Sequence, residues 1–441
     1  MSANLCEGEA VKKLPVRSAA VAGAVTLGLL LAGCSGSGSD TESGGKVSMT
    51  FWGWAPGYAD AVKEFNRTHP DVQVTYQQVQ PGAKGGYQKT LNAVQAGNAP
   101  CLAQLGYETL PSFAAQGALQ DVAEYAESGK GDFFDAAWKS VSVADAVYGI
   151  PVDSGPMALF YNKKVFDSLG LKPPATWDAY TAAAEKIHAA DPHKYISSPY
   201  LDYDYAGLAW QADANWFGVD GDSWKVTLAS EQNRKVADYW QGLVGKGVIS
   251  SAPMYDQAWY KGLGDGSIAT VVGAVWQAGV IKGGAKDGAG QWAVAPMPQW
   301  SADDDRTGNA GGSATAVLKG CETPEAATEF AHWLSTDPTA YGILVDKAGL
   351  YPAAKKLTGL SQLTAADPYF GGQKIYDVFA DAAPKVNADW TWGPVMTKTS
   401  ADLNDGLGKA WAGSGTLTGA LRTTQDKTVA ELKRQGLSVS P

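Results

Sequence analysis

The sequence predicts a two-domain protein of the α/β class. Its 441 residues are more than a single hydrophobic core usually holds, so two domains are expected. Segments with the two-residue period of strands also alternate with segments of helical period. Strand–helix–strand units of this kind build sheets that helices cover, with right-handed crossovers.

The first such unit spans residues 47–76. Apolar side chains occupy alternate positions over 47–52, which predicts a strand. A helical pattern follows over 58–67, and the His-Pro-Asp sequence at 69–71 ends it. Alternation returns over 72–76 and predicts a second strand.

The alternation of strands and helices continues along the chain. Helices are predicted over 87–96, 111–116, 177–187 and 324–334, strands over 101–105 and 268–272, and an extended crossing segment over 147–152. Thr176 and Thr323 precede two of these helices as N-caps. The stretch 203–222 is rich in Gly, Asp and Asn and is predicted to be irregular.

The first 33 residues have the pattern of an export signal. Three basic side chains precede an uncharged apolar run of about 13 residues, which is shorter than the roughly 20 that a membrane helix needs. The sequence Leu-Ala-Gly-Cys at 31–34 resembles the lipobox of bacterial lipoproteins, which implies that Cys34 is the first mature residue and carries a lipid. A plain secretory signal with a chance cysteine is the alternative. In both cases we expect a protein that works outside the cytoplasm, and the Ser/Gly-rich residues 34–46 form a flexible tether.

The mature chain is acidic and rich in large aromatic residues. Removal of residues 1–33 takes away three positive and two negative charges, so the formal net charge of −10 becomes −11. Without a basic run, such a surface argues against nucleic acid or anionic lipid as a partner. The chain has 16 Trp and 19 Tyr, whose flat side chains can stack on sugar rings, although any single Trp is more often a core residue.

Cysteine and histidine usage excludes most metal and cofactor chemistry. Once Cys6 leaves with the signal and Cys34 is lipidated, Cys101 and Cys321 remain. They can form one disulfide in an oxidising compartment or stay as two buried thiols, and spacing does not decide between these. The four histidines lack metal-ligand spacing, so we expect no metal and no cofactor.

Catalytic motifs are missing from the sequence. It contains no Gly-x-Ser-x-Gly elbow, no His-Glu-x-x-His, no P-loop and no Gly-x-Gly-x-x-Gly turn. A glycosidase stays open at this point, because it needs only two carboxylates that the fold places. The candidate carboxylates are Glu108, Asp153, Asp204 and Asp213.

A family resemblance begins in the run from residue 148 to residue 187. It contains YGIPVD at 148–153, LFYNKKVF at 159–166, LGL at 169–171 and PPATW at 173–177. Further matching stretches are GSIA at 266–269 with Gly273 and Trp276, WAVAPMP at 292–298, GGS at 311–313, PEAA at 324–327 and the part from Trp392 onward. Together they resemble the family 1 extracellular solute-binding proteins, the sugar-binding lipoproteins of ABC importers that include maltose-binding protein.

The resemblance implies a type II, cluster D-like periplasmic-binding-protein fold. In this fold two α/β lobes are joined by a hinge, and the ligand lies in the cleft between them. We expect the N-terminal lobe to hold residues 47–152 and 307–352, and the C-terminal lobe to hold residues 153–306 and 353–441. The chain is expected to cross between the lobes near 150–154, 306–312 and 351–354.

The ligand is expected to contact loops that follow strands, together with the crossing segments. Trp54 and Trp276 would offer stacking faces, while Glu108 and Asp153 would accept hydrogen bonds from sugar hydroxyls. A core position for Trp54, a helix N-terminal role for Glu108 and a hinge-holding role for Asp153 are the alternatives. The full set of expected contacts is Trp54, Tyr107, Glu108, Asp153, Ser154, Trp210, Gln211, Trp216, Trp276, Gly312, Ser313, Asp389, Trp390 and Trp392.

These expectations combine into a lipid-anchored, non-catalytic binding subunit of an ABC importer. It would capture a di- or oligosaccharide by hinge closure and deliver it to the transmembrane permease. We expect a monomer at the extracellular face of the cytoplasmic membrane. The alternatives are a secreted, lipid-anchored glycoside hydrolase and a binding protein for a non-sugar solute such as a polyol.

Overall fold

Strands and helices alternate along residues 46–82, 85–143 and 145–440, the ranges that the computed structural model describes. The strands are β1 (Val47–Gly53), β2 (Val72–Gln78), β3 (Leu102–Gly106), β4 (Ser142–Val143), β5 (Ala146–Val147), β6 (Gly149–Asn162), β7 (Phe217–Asp220), β8 (Ser223–Val226), β9 (Thr270–Ala274), β10 (Trp292–Ala295) and β11 (Asn309–Val317). The helices are α1 (Tyr58–Thr68), α2 (Gly86–Gln95), α3 (Leu110–Ala115), α4 (Ala123–Ala126), α5 (Asp135–Ser140), α6 (Lys163–Ser168), α7 (Trp177–Ala190), α8 (Asp202–Gln211), α9 (Glu231–Gly245), α10 (Gln257–Asp265), α11 (Gln277–Gly284), α12 (Pro324–Thr336), α13 (Pro338–Ala348), α14 (Ser361–Thr364), α15 (Ile375–Ala382), α16 (Met396–Trp411) and α17 (Leu417–Arg434). The expected signal, the lipidation site Cys34 and most of the tether lie outside the described residues.

The first sheet has the strand order β2–β1–β3–β11–β6. β1 pairs in parallel with β2 and β3, and β11 runs antiparallel to β3 and to the first half of β6. Met49 and Phe51 of β1 are buried while Ser48 is exposed, as the alternation in the sequence predicts. β3 is buried along its whole length because it lies between two other strands.

The second sheet forms on the other half of β6. There β9 and β10 pair antiparallel with β6 on its two sides, so that Leu159 lies opposite both Val272 and Ala295. β6 is 14 residues long, and all of them except Tyr161 are buried. One strand thus belongs to both sheets and connects two lobes.

Three chain segments lie side by side where the two sheets meet. Ser154 donates its backbone N–H to the carbonyl of Tyr351 over 2.9 Å, and Ala353 donates to the carbonyl of Val152 over 3.1 Å. β11 flanks β6 on the opposite side. These are the segments in which crossings were expected, and the lobe boundaries drawn within them stay a prediction.

The pairing of β11 with β6 shifts register at the crossing. Asn309 lies opposite Pro156 and Gly312 lies opposite Ser154, with an irregularity between these two pairs. Gly311 and Gly312 have φ values of 79° and 100°, in the left-handed region that glycine adopts without steric cost. Two successive glycines thus accommodate the register shift within the expected crossing segment 306–312.

The prediction that residues 203–222 are irregular is wrong. The stretch contains most of α8 and all of β7, and every residue of α8 except Tyr203 is buried. α8 crosses β11 at Gly207, where an added Cβ would lie 2.2 Å from the sulfur of Met157 and 3.1 Å from the carbonyl oxygen of Asn309. Tertiary packing, which leaves no periodic signal when all faces are buried, decides this helix.

Two predicted helix starts and one possible disulfide can be compared with the structure. Thr176 accepts the N–H of Ala179 over 3.2 Å as the N-cap of α7. Pro324 begins α12 as predicted, although among the described residues the Thr323 side chain makes no capping bond.

Cys101 and Cys321 are joined in a disulfide with their Cα atoms 4.5 Å apart. Over the described ranges, every helix is too short or too polar to span a bilayer.

Candidate ligand-binding site

The first lobe, built on the first sheet, presents an aromatic and acidic edge at the ends of β1 and β3. Trp54 follows β1 and contacts the ring of Tyr87 edge-on, with 5.8 Å between ring centroids. The Tyr87 hydroxyl donates to Glu108 Oε1 over 2.8 Å and accepts the N–H of Gly106 over 3.1 Å. Burial raises the pKa of Glu108, although its side chain stays partly exposed. A flat ring and a carboxyl group thus lie close together at the cleft.

Asp153 lies in β6 at the crossing and binds the neighbouring strand. Its Oδ1 accepts the backbone N–H of Ser313 over 3.0 Å and the Ser313 hydroxyl over 2.6 Å. The hydroxyl of Tyr107 donates to the Asp153 carbonyl over 2.8 Å. Burial raises the pKa of the Asp153 carboxyl to about 6. These bonds are those of a residue that holds the hinge backbone, and contact of Asp153 with a ligand stays a prediction.

The second lobe, built on the second sheet, carries an aromatic group after β9. Trp276 is partly exposed and donates from Nε1 to the carbonyl of Ala310 over 2.9 Å, which ties it to the crossing strand β11. Its ring lies 5.9 Å from that of Tyr203 and 6.5 Å from that of Tyr255, centroid to centroid. Trp276 therefore lies partly exposed beside two tyrosines that sequence reasoning missed, and its stacking on a ligand stays a prediction.

A buried polar group supports these tyrosines. Tyr255 donates its hydroxyl to Asp204 Oδ2 over 2.9 Å and accepts from Gln277 Nε2 over 2.6 Å. Asp204 Oδ1 and Gln277 Oε1 are buried without a hydrogen-bond partner in the described part of the chain. Burial raises the pKa of Asp204 to about 7. The run Asp-Tyr-Asp-Tyr at 202–205 is the one sequence signal that could have indicated this group.

Acidic and aromatic side chains of the two lobes lie within electrostatic range of each other. Burial raises the pKa of Tyr203, and the negative charges of Asp204, Asp202 and Glu108 add to this effect. Glu108 belongs to the first lobe and Tyr203 to the second, so their electrical influence is exerted across the cleft. This end of the cleft has flat rings and hydrogen-bond acceptors on both walls, which can stack on a ring and accept from its hydroxyls.

Four tryptophans cluster at the other end of α8. Trp210 stacks on Trp390 with 4.8 Å between centroids and 9° between planes, and both Trp216 and Trp392 contact this pair. Trp210 donates from Nε1 to the carbonyl of Asn387 over 2.6 Å. All four indoles are buried, so the structure places them as a packed cluster rather than as an open platform.

A pocket between the lobes borders this cluster. Ser154 and Asn309 line it from the crossing segments, Tyr107, Phe134 and Ser140 from the first lobe, and Trp210 from the second. The Ser154 hydroxyl is buried there without a partner among the described residues. Of the expected contacts, Tyr107, Ser154 and Trp210 thus meet at one pocket.

Two other expected contacts, Gln211 and Trp216, use their polar atoms in bonds to the protein. Gln211 is buried within the second lobe, where it accepts from Trp177 Nε1 over 3.0 Å and donates to the carbonyl of Pro298 over 2.6 Å. Trp216 is fully buried and donates to Asn233 Oδ1. We therefore leave these two residues out of the site proposed below, because their polar atoms are used inside the lobe.

Asp389 and Gly312 have contacts of their own. Asp389 is exposed and forms an ion pair with Lys139 over 3.1 Å, which joins the two lobes. At Gly312 an added Cβ would lie 2.4 Å from the ring of Tyr107 and 2.9 Å from the carbonyl of Asp153, so glycine permits the close packing of the hinge. The described residues contain no cluster of three or more potential metal ligands.

This arrangement of lobes, crossing segments and cleft agrees with a known family. Residues 54–341, about two thirds of the chain, match the model of the bacterial extracellular solute-binding proteins. The chain belongs to this family. The two-lobe α/β fold predicted from the sequence is confirmed.

Several relatives and solved structures to which this solute-binding protein is similar are sugar-binding proteins. The galacto-N-biose/lacto-N-biose I-binding protein of an ABC transporter from Bifidobacterium longum, solved with lacto-N-biose, is 34% identical with a TM-score of 0.79, covering 90% of this chain and 100% of that one. An ABC transporter binding protein from B. animalis subsp. lactis, solved with β-1,6-galactobiose, is 29% identical with a TM-score of 0.74, covering 89% and 99%. An arabinooligosaccharide-binding protein from Bacillus subtilis is 24% identical over 82% of this chain and 86% of its own length.

Proposed function

We propose that this solute-binding protein captures a di- or oligosaccharide between its lobes and delivers it to the permease of an ABC importer. The observation that carries the proposal is the similarity, along 90% of this chain, to a binding protein solved with a disaccharide. The cleft adds support, since Glu108 of the first lobe acts electrostatically on Tyr203 of the second, whose ring lies 5.9 Å from that of Trp276. Rings and carboxyl groups in this arrangement suit the faces and hydroxyls of sugars.

Binding and closure, without chemistry on the sugar, form the proposed mechanism. A sugar that contacts both lobes binds the closed form more tightly than the open form, and shifts the population by that difference in affinity. The closed form then carries the unchanged sugar to the permease. The hydrolase and polyol alternatives gain no support from the relatives, which are named for sugars that they bind.

The test is a titration of residues 35–441 with lacto-N-biose, galacto-N-biose, β-1,6-galactobiose, lactose and arabinooligosaccharides. We expect a saturable change in Trp fluorescence with at least one sugar, and recovery of that sugar intact. Trp276→Ala should weaken binding at least about tenfold, whereas Trp224→Ala, on the β7–β8 hairpin, should leave it within about twofold. A failure to bind any sugar, or release of monosaccharides, would overturn the proposal.

We further propose that a lipid on Cys34 anchors a monomer to the outer face of the cytoplasmic membrane. The lipobox-like sequence at 31–34 and membership of an extracellular family support this. Cells fed radioactive palmitate should label the wild-type protein, and Cys34→Ser should abolish the label and release protein into the medium. Light scattering of purified residues 35–441 should give the mass of one chain. Labelling that persists in the variant, or a dimer mass, would contradict these statements.

A further inference from the structure

Gln104 is buried in the central strand β3 and makes three side-chain hydrogen bonds. Only 4% of the surface of this residue is exposed. Oε1 accepts the backbone N–H groups of Trp54 over 3.0 Å and of Ala55 over 3.2 Å. Nε2 donates to the Ser313 hydroxyl over 3.2 Å. The proposed mechanism of binding and closure gives this buried amide no role.

The direction of these bonds follows from the carboxylate at the far end. An ionised Asp153 can only accept, so the single hydroxyl proton of Ser313 points to Asp153 Oδ1. The lone pairs of that hydroxyl then face Gln104, which fixes its amide nitrogen toward Ser313 and its amide oxygen toward Trp54 and Ala55. The N–H groups of Trp54 and Ala55 can only donate, so both ends of the Gln104 amide require the same orientation.

This chain of bonds spans four strands of the first sheet at the edge that faces the cleft. It begins at the residues that follow β1, passes through β3 and β11, and ends in β6. Both β6 and β11 are crossing segments, whereas Trp54 is the aromatic side chain of the cleft wall. This series of hydrogen bonds therefore connects the hinge to the loop that carries Trp54.

We propose that Gln104 is a positioning residue of the sugar site, which holds the Trp54 loop in register with the hinge through Ser313 and Asp153. This inference rests on the proposed function for its effect on sugar binding. Gln104 contacts no ligand in this account. Its removal would leave the N–H groups of Trp54 and Ala55 without their acceptor and let the loop leave the geometry that the closed cleft requires.

A double-mutant cycle with Trp54→Ala separates positioning from general stability. We expect Gln104→Met to weaken sugar binding about tenfold in the wild-type background and less than about twofold when Trp54→Ala is also present. The matched control is Gln211→Met, which breaks buried side-chain bonds in the second lobe. Its effect on sugar affinity should be the same with and without Trp54→Ala. Equal loss from Gln104→Met in both backgrounds, or no loss, would overturn the proposal.

Two further measurements keep the inference testable by itself. Ser313→Ala removes only the hydroxyl that joins Gln104 to Asp153, so this variant should fold even if Gln104→Met does not. It should weaken sugar binding about threefold, and this loss should depend on Trp54 in the same way. Hydrogen exchange without sugar should show faster exchange at the amides of Trp54 and Ala55 in Gln104→Met. Unchanged protection at these two amides would refute the positioning role, whether or not the wild-type protein binds a sugar. Failure of the wild-type protein to bind any of the sugars would refute the proposed function.

Discussion

The contact between α8 and β11 gives the sharpest test of how the lobes are joined. α8 carries Tyr203 and Asp204 of the cleft, and β11 is a crossing segment. At Gly308, immediately before β11, an added Cβ would lie 1.9 Å from the carbonyl oxygen of Gly207 and 3.1 Å from the sulfur of Met157. Because the first of these atoms belongs to the backbone of a helix, no side-chain rotation can relieve the overlap.

Gly308→Ala should therefore displace α8. Ordinary van der Waals contact begins near 3.4 Å, so the helix must move by about 1.5 Å relative to the crossing strand. Overpacking of this kind costs typically 1–3 kcal/mol, and we expect a loss of at least about 2 kcal/mol in the free energy of unfolding. We also expect sugar affinity to fall more than about tenfold, because the displaced helix carries one wall of the cleft.

The matched control is the same chemical change at Gly242. This glycine is exposed in α9, where an added Cβ would meet no described atom within 4 Å. Gly242→Ala should raise the free energy of unfolding by up to about 1 kcal/mol, since alanine has the higher helix propensity. Urea titration followed by Trp fluorescence and calorimetric titration with sugar measure both variants. If Gly308→Ala unfolds within about 0.5 kcal/mol of wild type and binds sugar normally, the packing argument is wrong.

Three further predictions concern the disulfide, the buried acid and the interlobe ion pair. Replacing Cys101 and Cys321 by Ser opens a loop of 220 residues and should lower the free energy of unfolding by about 5 kcal/mol on the chain-entropy estimate; a loss under about 1 kcal/mol in urea titration would contradict this. The pKa of Asp204, raised to about 7 by burial, lies above its unfolded value near 3.9, so stability is full below about pH 4 and falls as pH rises to about 7. The melting temperature of Asp204→Asn minus that of wild type should thus increase from pH 5 to pH 8. A difference that stays constant over this range would refute the raised pKa of Asp204. The Lys139–Asp389 pair is 49% and 79% exposed, so Asp389→Ala should change sugar affinity less than about threefold in calorimetric titration, and a tenfold loss would make Asp389 a ligand contact instead.

Local patterns in the sequence were sufficient for most strands and amphipathic helices. The alternation around Phe51 predicted β1, and Thr176 predicted the start of α7, because each signal acts within a few residues. α8 could not be found this way, since its residues are buried on every face and its position depends on Gly207 meeting β11.

The cleft was less predictable because its contacts join distant parts of the chain. Positions after strands predicted that Trp54, Glu108 and Trp276 contact the ligand, and this contact stays a prediction. Nothing near Gln104 reveals that its amide meets Ser313, 209 residues away. Tyr255, with a left-handed φ of 71°, reaches Asp204 only through the packing of α8. Such partners are decided by the fold and leave no local pattern.

The central claim is that one intact sugar lies between the two lobes. A crystal structure of residues 35–441 with the disaccharide that binds most tightly tests it most directly. We predict density for a single uncleaved sugar bounded by Trp54 and Glu108 on one side and by Tyr203 and Trp276 on the other. A sugar bound outside this cleft, or density for its hydrolysis products, would contradict the account.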